Sequence, residues 1–170
     1  MTTQPAPGAF TLDAANSSVR FHNKSIWGLV HVHGTFGSVR GSGEIAADGT
    51  GHGTLTIGTA SLDTKNKKRD VHLRSKDFFL ADDFPEITFE ATQITPSEDG
   101  TAQVDGELTV RGTSHKLSFP ARHESQGTDV VVLRGTVQIS RADYGMTWNQ
   151  LGMLAGVATI ELELRFTAAG

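Results

Sequence analysis

His31-Val32-His33 places two imidazoles on one face of an extended segment, a spacing from which a strand can offer two ligands to one metal ion, with His22 as a candidate third. Phe36, however, shares parity with Val30 and Val32, and a phenylalanine in such a strand belongs inside. The two histidines are then expected to face solvent, and no metal site is expected. A second cluster, Lys65, Lys67, Lys68, Arg69, Arg74 and Lys76 among Asp63, Asp70 and Asp77, could receive a phosphate head group or an anionic membrane surface. The plainer reading, a solvated helix face with local ion pairs, is preferred. Asp143 beside Tyr144, close to Trp148, could exchange protons in a closed pocket, but nothing in the spacing requires it. The run from Met146 to Gly156 is apolar and carries two methionines, which adapt to irregular ligands; a lid over a cavity and a plain packed connection suit it equally. No phosphate-binding glycine loop, nucleophile elbow or dinucleotide fingerprint is present, and no cofactor is implied.

The elements that must position these residues belong to a chain of 170 residues, enough for one domain with a real core. It has no cysteine, which excludes a disulfide framework, a thiolate metal site and a cysteine nucleophile. Fifteen basic and nineteen acidic residues give a net charge of −4, with no field to attract a nucleic-acid backbone, so no nucleic-acid partner is expected. Met1-Thr2-Thr3-Gln4-Pro5-Ala6-Pro7-Gly8 has no charged leader ahead of an apolar run, and no stretch approaches the roughly 20 apolar residues of a membrane span. A cytoplasmic location without stable membrane insertion is expected. Residues 1–8 read as a disordered tail and 9–168 as one domain, in which a homodimer has room to form.

Period-two alternation dominates. Val19 and Phe21, Leu55 and Ile57, and Ile87, Phe89 and Ala91 each alternate with polar neighbours. So do Val104, Leu108 and Val110, and then Leu117, Phe119 and Ala121. Val131, Leu133, Val137 and Ile139 follow, and the last run carries Ala158, Ile160, Leu162, Leu164 and Phe166 on one face. This is the signature of half-buried antiparallel strands, about eight of them, in a sandwich or a closed barrel. Asp48-Gly49, Asp99-Gly100 and Arg111-Gly112 mark turns. Residues 63–80 break the alternation. Asp63 or Thr64 can cap a short helix, and Ser75 a second turn that buries Phe78 and Phe79, giving a helical hairpin across one end of the strands. The inward face of Phe21, Phe36, Phe89, Leu108, Phe119, Ile139, Leu162 and Leu164 could fill a core or line a cavity; periodicity leaves both open.

Asp63-Thr64, then Arg69-Asp70-Val71-His72-Leu73-Arg74-Ser75-Lys76-Asp77-Phe78-Phe79, then Phe84-Pro85-Glu86-Ile87-Thr88-Phe89 resemble the most diagnostic block of the YceI-like family. Val104-Asp105-Gly106-Glu107-Leu108-Thr109-Val110-Arg111-Gly112-Thr113 resembles its second block, and Ser140-Arg141-Ala142-Asp143-Tyr144-Gly145-Met146 its third. The N-terminal pattern fits at Leu12-Asp13, Ser17 and Gly34-Thr35-Phe36-Gly37, with Asn16 where the family usually has histidine and altered chemistry from Phe21 to Trp27. The resemblance implies an all-β fold, an eight-stranded antiparallel lipocalin-like barrel with a short helical segment near 63–80. It also implies the binding or carrying of a long apolar amphiphile, an isoprenoid, quinone or similar lipid, inside that barrel. The residues expected around it are Phe21, Trp27, Phe36, Phe89, Leu108, Phe119, Ile139, Met146, Trp148 and Leu162. Arg69, Asp70 and Arg74 are read as a network holding the helical segment on the barrel. The rewritten first hairpin keeps a second function in view, a cyclase or isomerase that uses the cavity to fold an apolar substrate.

Overall fold

In the computed structural model, residues 5–25, 30–146 and 154–169 are described. The alternating segments become strands β1 (Gly8–Leu12), β2 (Ser18–Ser25), β3 (Val30–Phe36), β4 (Val39–Ile45), β5 (Gly51–Gly58), β6 (Leu62–Asp63) and β7 (Glu86–Pro96). They continue as β8 (Thr101–Val110), β9 (Thr113–Gln126), β10 (Val130–Ser140) and β11 (Leu154–Ala168), with a single α-helix among the described residues, α1 (Lys67–Arg74). All pairings are antiparallel. They run β1-β4-β5-β7-β8-β9-β10-β11 and return from β11 to β1, so the sheet closes on itself as a ring of eight.

Two of the eight staves are broken strands. β11 pairs with β1 at Leu12↔Phe166 and with β2 at Val19↔Leu162, so β1 and β2 lie end to end along one neighbour. Between them Ala14–Asn16 forms a 3-10 turn. Its break is stitched by Asp13 N–H donating to Arg165 O at 2.7 Å and Arg165 N–H donating to Ser17 Oγ at 2.9 Å. β3 and β4 make the next stave, interrupted at Gly37 and Ser38, where Gly37 N–H donates to Ser61 O and Gly58 N–H to Ser38 O. After the 3-10 turn Thr59–Ser61 that follows β5, the two-residue β6 pairs antiparallel beside the end of β3, at Phe36↔Leu62.

The turns follow from local chemistry. Asp48 and Asp99 each accept from the backbone N–H and the hydroxyl of a threonine two residues on, Thr50 and Thr101, and the intervening Gly49 and Gly100 take φ of +89° and +88°. Arg111 and Gly112, φ +52° and +74°, are the paired left-handed residues of a two-residue hairpin.

The segment after β6 differs from its sequence reading in detail. Asn66, not Asp63 or Thr64, caps α1 by accepting from Arg69 N–H. Asp63 is held in β6 and Thr64 in a contact with Asp70. The second arm of the expected hairpin is a chain of turns: Leu80 adopts φ +48°, which interrupts any helix, and Phe78 is buried by Ser75-centred hydrogen bonds instead. The network expected of Arg69, Asp70 and Arg74 is present. Buried Asp70 accepts from Thr64 N–H at 3.0 Å and from its hydroxyl. Arg69 donates to Thr64 Oγ1 and O, and Arg74 to Ala60 O at 3.1 Å and Leu62 O at 2.9 Å.

Candidate ligand-binding cavity

The inward faces of the staves do not meet. They enclose a cavity of about 460 Å³, within the range of small-molecule sites. Eight of the ten residues expected around a ligand line it: Phe21, Phe36, Phe89, Leu108, Phe119, Ile139, Met146 and Leu162. Leu164, from the same inward face, lines it too. Trp27 and Trp148 lie outside the described residues. Two aromatic groups build the wall. Phe36 stands 5.2 Å from Phe21 and 5.9 Å from Phe79, and Phe89 stands 5.8 Å from Phe119. These are the spacings of tilted and edge-on ring pairs.

The two ends of the cavity differ. At one end the lining reaches the exposed turn residues Asp48 and Glu98, so the barrel is open there. At the other, among the described residues, Phe79 comes in from the turns after α1. Arg111 holds this closed end together by donating to Phe78 O and Gly145 O, both at 3.1 Å. Gly112 fits closely against Phe84; a Cβ there would lie 2.7 Å from its ring.

Three features of the wall lie outside what the sequence reading singled out. Gly43, Gly51 and Gly53 are lining positions near the open end; a Cβ on Gly43 or Gly53 would lie 2.6 Å or 2.5 Å from the backbone oxygen of His52 or Ser42, so this pair lets β4 and β5 approach closely, while Gly51 has ordinary space around it. The signal was present: Gly41 and Gly43 fall between Val39 and Ile45, and Gly51 and Gly53 precede Leu55 and Ile57, all at period two. His123 and Ser125 extend the inward face of β9 beyond Phe119 and Ala121. Arg141, 6% exposed, lines the cavity beyond Ile139; its Nη1 donates to Met146 O at 3.3 Å, and burial pulls its pKa below the usual value.

The other candidate groups take non-cavity positions. His33 is exposed and on the outward parity, 5.5 Å ring to ring from its cross-strand neighbour His22, while the side chain of His31 lies outside the described residues. Tyr144 is buried in the core with its ring edge-on to His115, and burial together with the Asp143 charge pushes its pKa up. Asp143 is exposed, and neither it nor Tyr144 lines the cavity. Lys67, Lys68 and Lys76 are exposed around α1, as a solvated helix face requires. No helix among the described residues is long and apolar enough to cross a membrane.

Comparison with known proteins agrees with this geometry. The backbone superimposes on Burkholderia cenocepacia BcnA with a TM-score of 0.82 at 23% identity, covering 91% of this chain and 98% of that one. A polyisoprenoid binding domain from Saccharophagus degradans gives 0.73 at 16% identity, covering 94% and 98%. At these identities the match is one of fold. In sequence, the UPF0312 protein SA2479 of Staphylococcus aureus is 35% identical over 156 residues, which span 87% of this chain and 88% of the relative. The model of the YceI-like domain matches residues 10–168, from within β1 to the end of β11, and the chain belongs to that family.

Proposed function

We propose that this barrel binds and carries a long apolar amphiphile, an isoprenoid, quinone or similar lipid, with its tail in the cavity. The observation that carries the reading is the unfilled interior: a closed ring of eight staves whose inward side chains are almost all apolar yet leave about 460 Å³ between them. Each methylene moved from water into such a space contributes about 0.8 kcal/mol, so a tail can be held without polar anchors. The polyisoprenoid binding domain of Saccharophagus degradans, which shares the fold, supports the same class of ligand.

Two measurements test it. Mass spectrometry of an organic extract of the purified protein should show a bound amphiphile. A fluorescent lipid should titrate into the stripped protein, and Leu108→Trp, on the cavity wall, should reduce that capacity more than it lowers the melting temperature. Overpacking a filled core costs about 1–3 kcal/mol. A large loss of stability in Leu108→Trp, with no probe uptake by the unmodified protein, would show a solid barrel and end the proposal.

A further inference from the structure

We propose that the ligand sits with an uncharged, oxygen-bearing head group at the open end, between His123 and Ser125 on one wall and Gly43, Gly51 and Gly53 on the other. This rests on the reading that the cavity holds an amphiphile, and it adds the direction of that amphiphile and the chemistry of its polar end.

The inward face of β9 grades from Leu117, Phe119 and Ala121 to His123 and Ser125 as it nears the open end. His123 Nε2 lies 3.3 Å from Ser97 O. A ring nitrogen against a carbonyl oxygen is the donor; in the neutral imidazole Nδ1 is then an acceptor, and the Ser125 hydroxyl can act in either sense. Such a pair suits an alcohol, phenol or carbonyl. In the ring of eight, β9 stands four positions from β4 in either direction, so the wall across the lumen is β4 with its partner β5. That wall carries Gly43 opposite Gly53, and Gly51 beside them. The lumen is therefore polar on one side, and on the other Gly51 leaves space for a bulky end group.

Charge selects among head groups. Asp48 and Glu98 line this end, so a phosphate or diphosphate there would meet two carboxylates, while the Glu44 side chain is on the outward parity beside His52. Arg134, at the same end, is already paired with Glu124 at 3.1 Å and Glu163 at 3.3 Å. The buried cation Arg141 lies at the far end, past the apolar length of the cavity, and a charged head entering from the mouth would have to cross that length to reach it.

Phytol, phytyl diphosphate and phytane share one branched tail and differ only at its end, so they test the inference by displacement of a fluorescent lipid. Phytol should displace the probe about fivefold to tenfold more effectively than phytyl diphosphate, and His123→Leu/Ser125→Ala should cost phytol a similar factor, the worth of one or two hydrogen bonds, while phytane is unaffected. A melting curve of the variant should match that of the unmodified protein. Tighter binding of the diphosphate would overturn the inference. So would unchanged phytol binding in the double variant, or a loss of phytol binding in Arg141→Lys alone. If none of the three compounds displaces the probe, the tunnel reading itself fails, a result distinct from all the others.

Discussion

At the closed end of the barrel the chain from Thr64 to Pro85 forms a cap tied down by side chains: Asp70 to Thr64, Arg69 to Thr64, Arg74 to Ala60 and Leu62, and Arg111 to Phe78 and Gly145. At the open end the strands simply turn. Asp48-Gly49-Thr50 and Asp99-Gly100-Thr101 close two hairpins with short Asp–Thr hydrogen bonds, and the wall beneath is partly glycine. The cap gains its order from charge-assisted hydrogen bonds, of which the Asp70–Thr64 pair is buried. The mouth keeps its space at Gly51, where no side chain projects. Stability and capacity are therefore separable: changes at the cap should be felt in folding, and changes at the mouth in binding.

The largest effect that could break this contrast is at the base of the cap. Phe36→Ala removes a 6% exposed ring that touches Phe21 and Phe79, and should destabilise by about 3–5 kcal/mol in denaturant titration. A much smaller loss would mean that the closed end is as loosely filled as the mouth. Next, Asp70→Ala leaves the Thr64 N–H and hydroxyl without their acceptor and should cost about 2–3 kcal/mol, with amide exchange in residues 64–85 accelerating before the strands are affected. Uniform acceleration would show that the cap is no separate unit.

At the mouth the expectation reverses. A Cβ on Gly51 meets only ordinary contacts, none nearer than Glu44 O at 3.4 Å, so Gly51→Leu should change stability by no more than about 1 kcal/mol. Uptake of a fluorescent lipid should nevertheless fall several-fold; retention of full uptake would show that this wall is not used. The smallest effect concerns pH. The Thr50 and Thr101 hydroxyl and amide donors hold the Asp48 and Asp99 carboxyls below the usual range. A carboxyl depressed in the folded state adds stability above its unfolded pKa, and that contribution disappears as pH falls through the folded value. Asp48→Ala/Asp99→Ala should thus lower the melting temperature slightly at pH 7 and hardly at all below the folded value, where both carboxyls are protonated anyway. An equal loss at both pH values would assign the effect to turn geometry rather than to charge.

The sequence makes the cap and the strand faces legible for different reasons. Strands such as β8 alternate Val104, Leu108 and Val110 with Asp105, Glu107 and Thr109, so direction follows from solvation alone. Six of the cavity-lining residues named in advance are of this kind, Phe21, Phe89, Leu108, Phe119, Ile139 and Leu162, each on a regular inward parity. The glycine wall escaped because hydrophobic periodicity weighs large side chains, and a glycine is read first as a turn. The mouth residues His123 and Ser125 escaped because they continue an apolar face with polar types. The Arg111 staple had no local signal at all: its acceptors lie 33 and 34 residues away in the chain. The helix cap shifted to Asn66 because a distant strand, β3, takes Asp63 for its own ladder.

β11 runs beside both halves of the first stave, pairing Phe10 with Ala168 and Asn23 with Ala158. Every other ladder in the ring joins segments nearer in sequence, so this seam carries the longest loop to be closed. Loop-closure entropy makes such contacts late and slow, and barrels dominated by them fold in milliseconds to seconds. Until the seam forms, the inward faces lie on an open curved sheet in contact with water and there is no enclosed interior. An amphiphile present during folding can settle on that sheet and be wrapped, whereas one added afterwards must come through the mouth; the order of addition should decide how quickly the protein is filled.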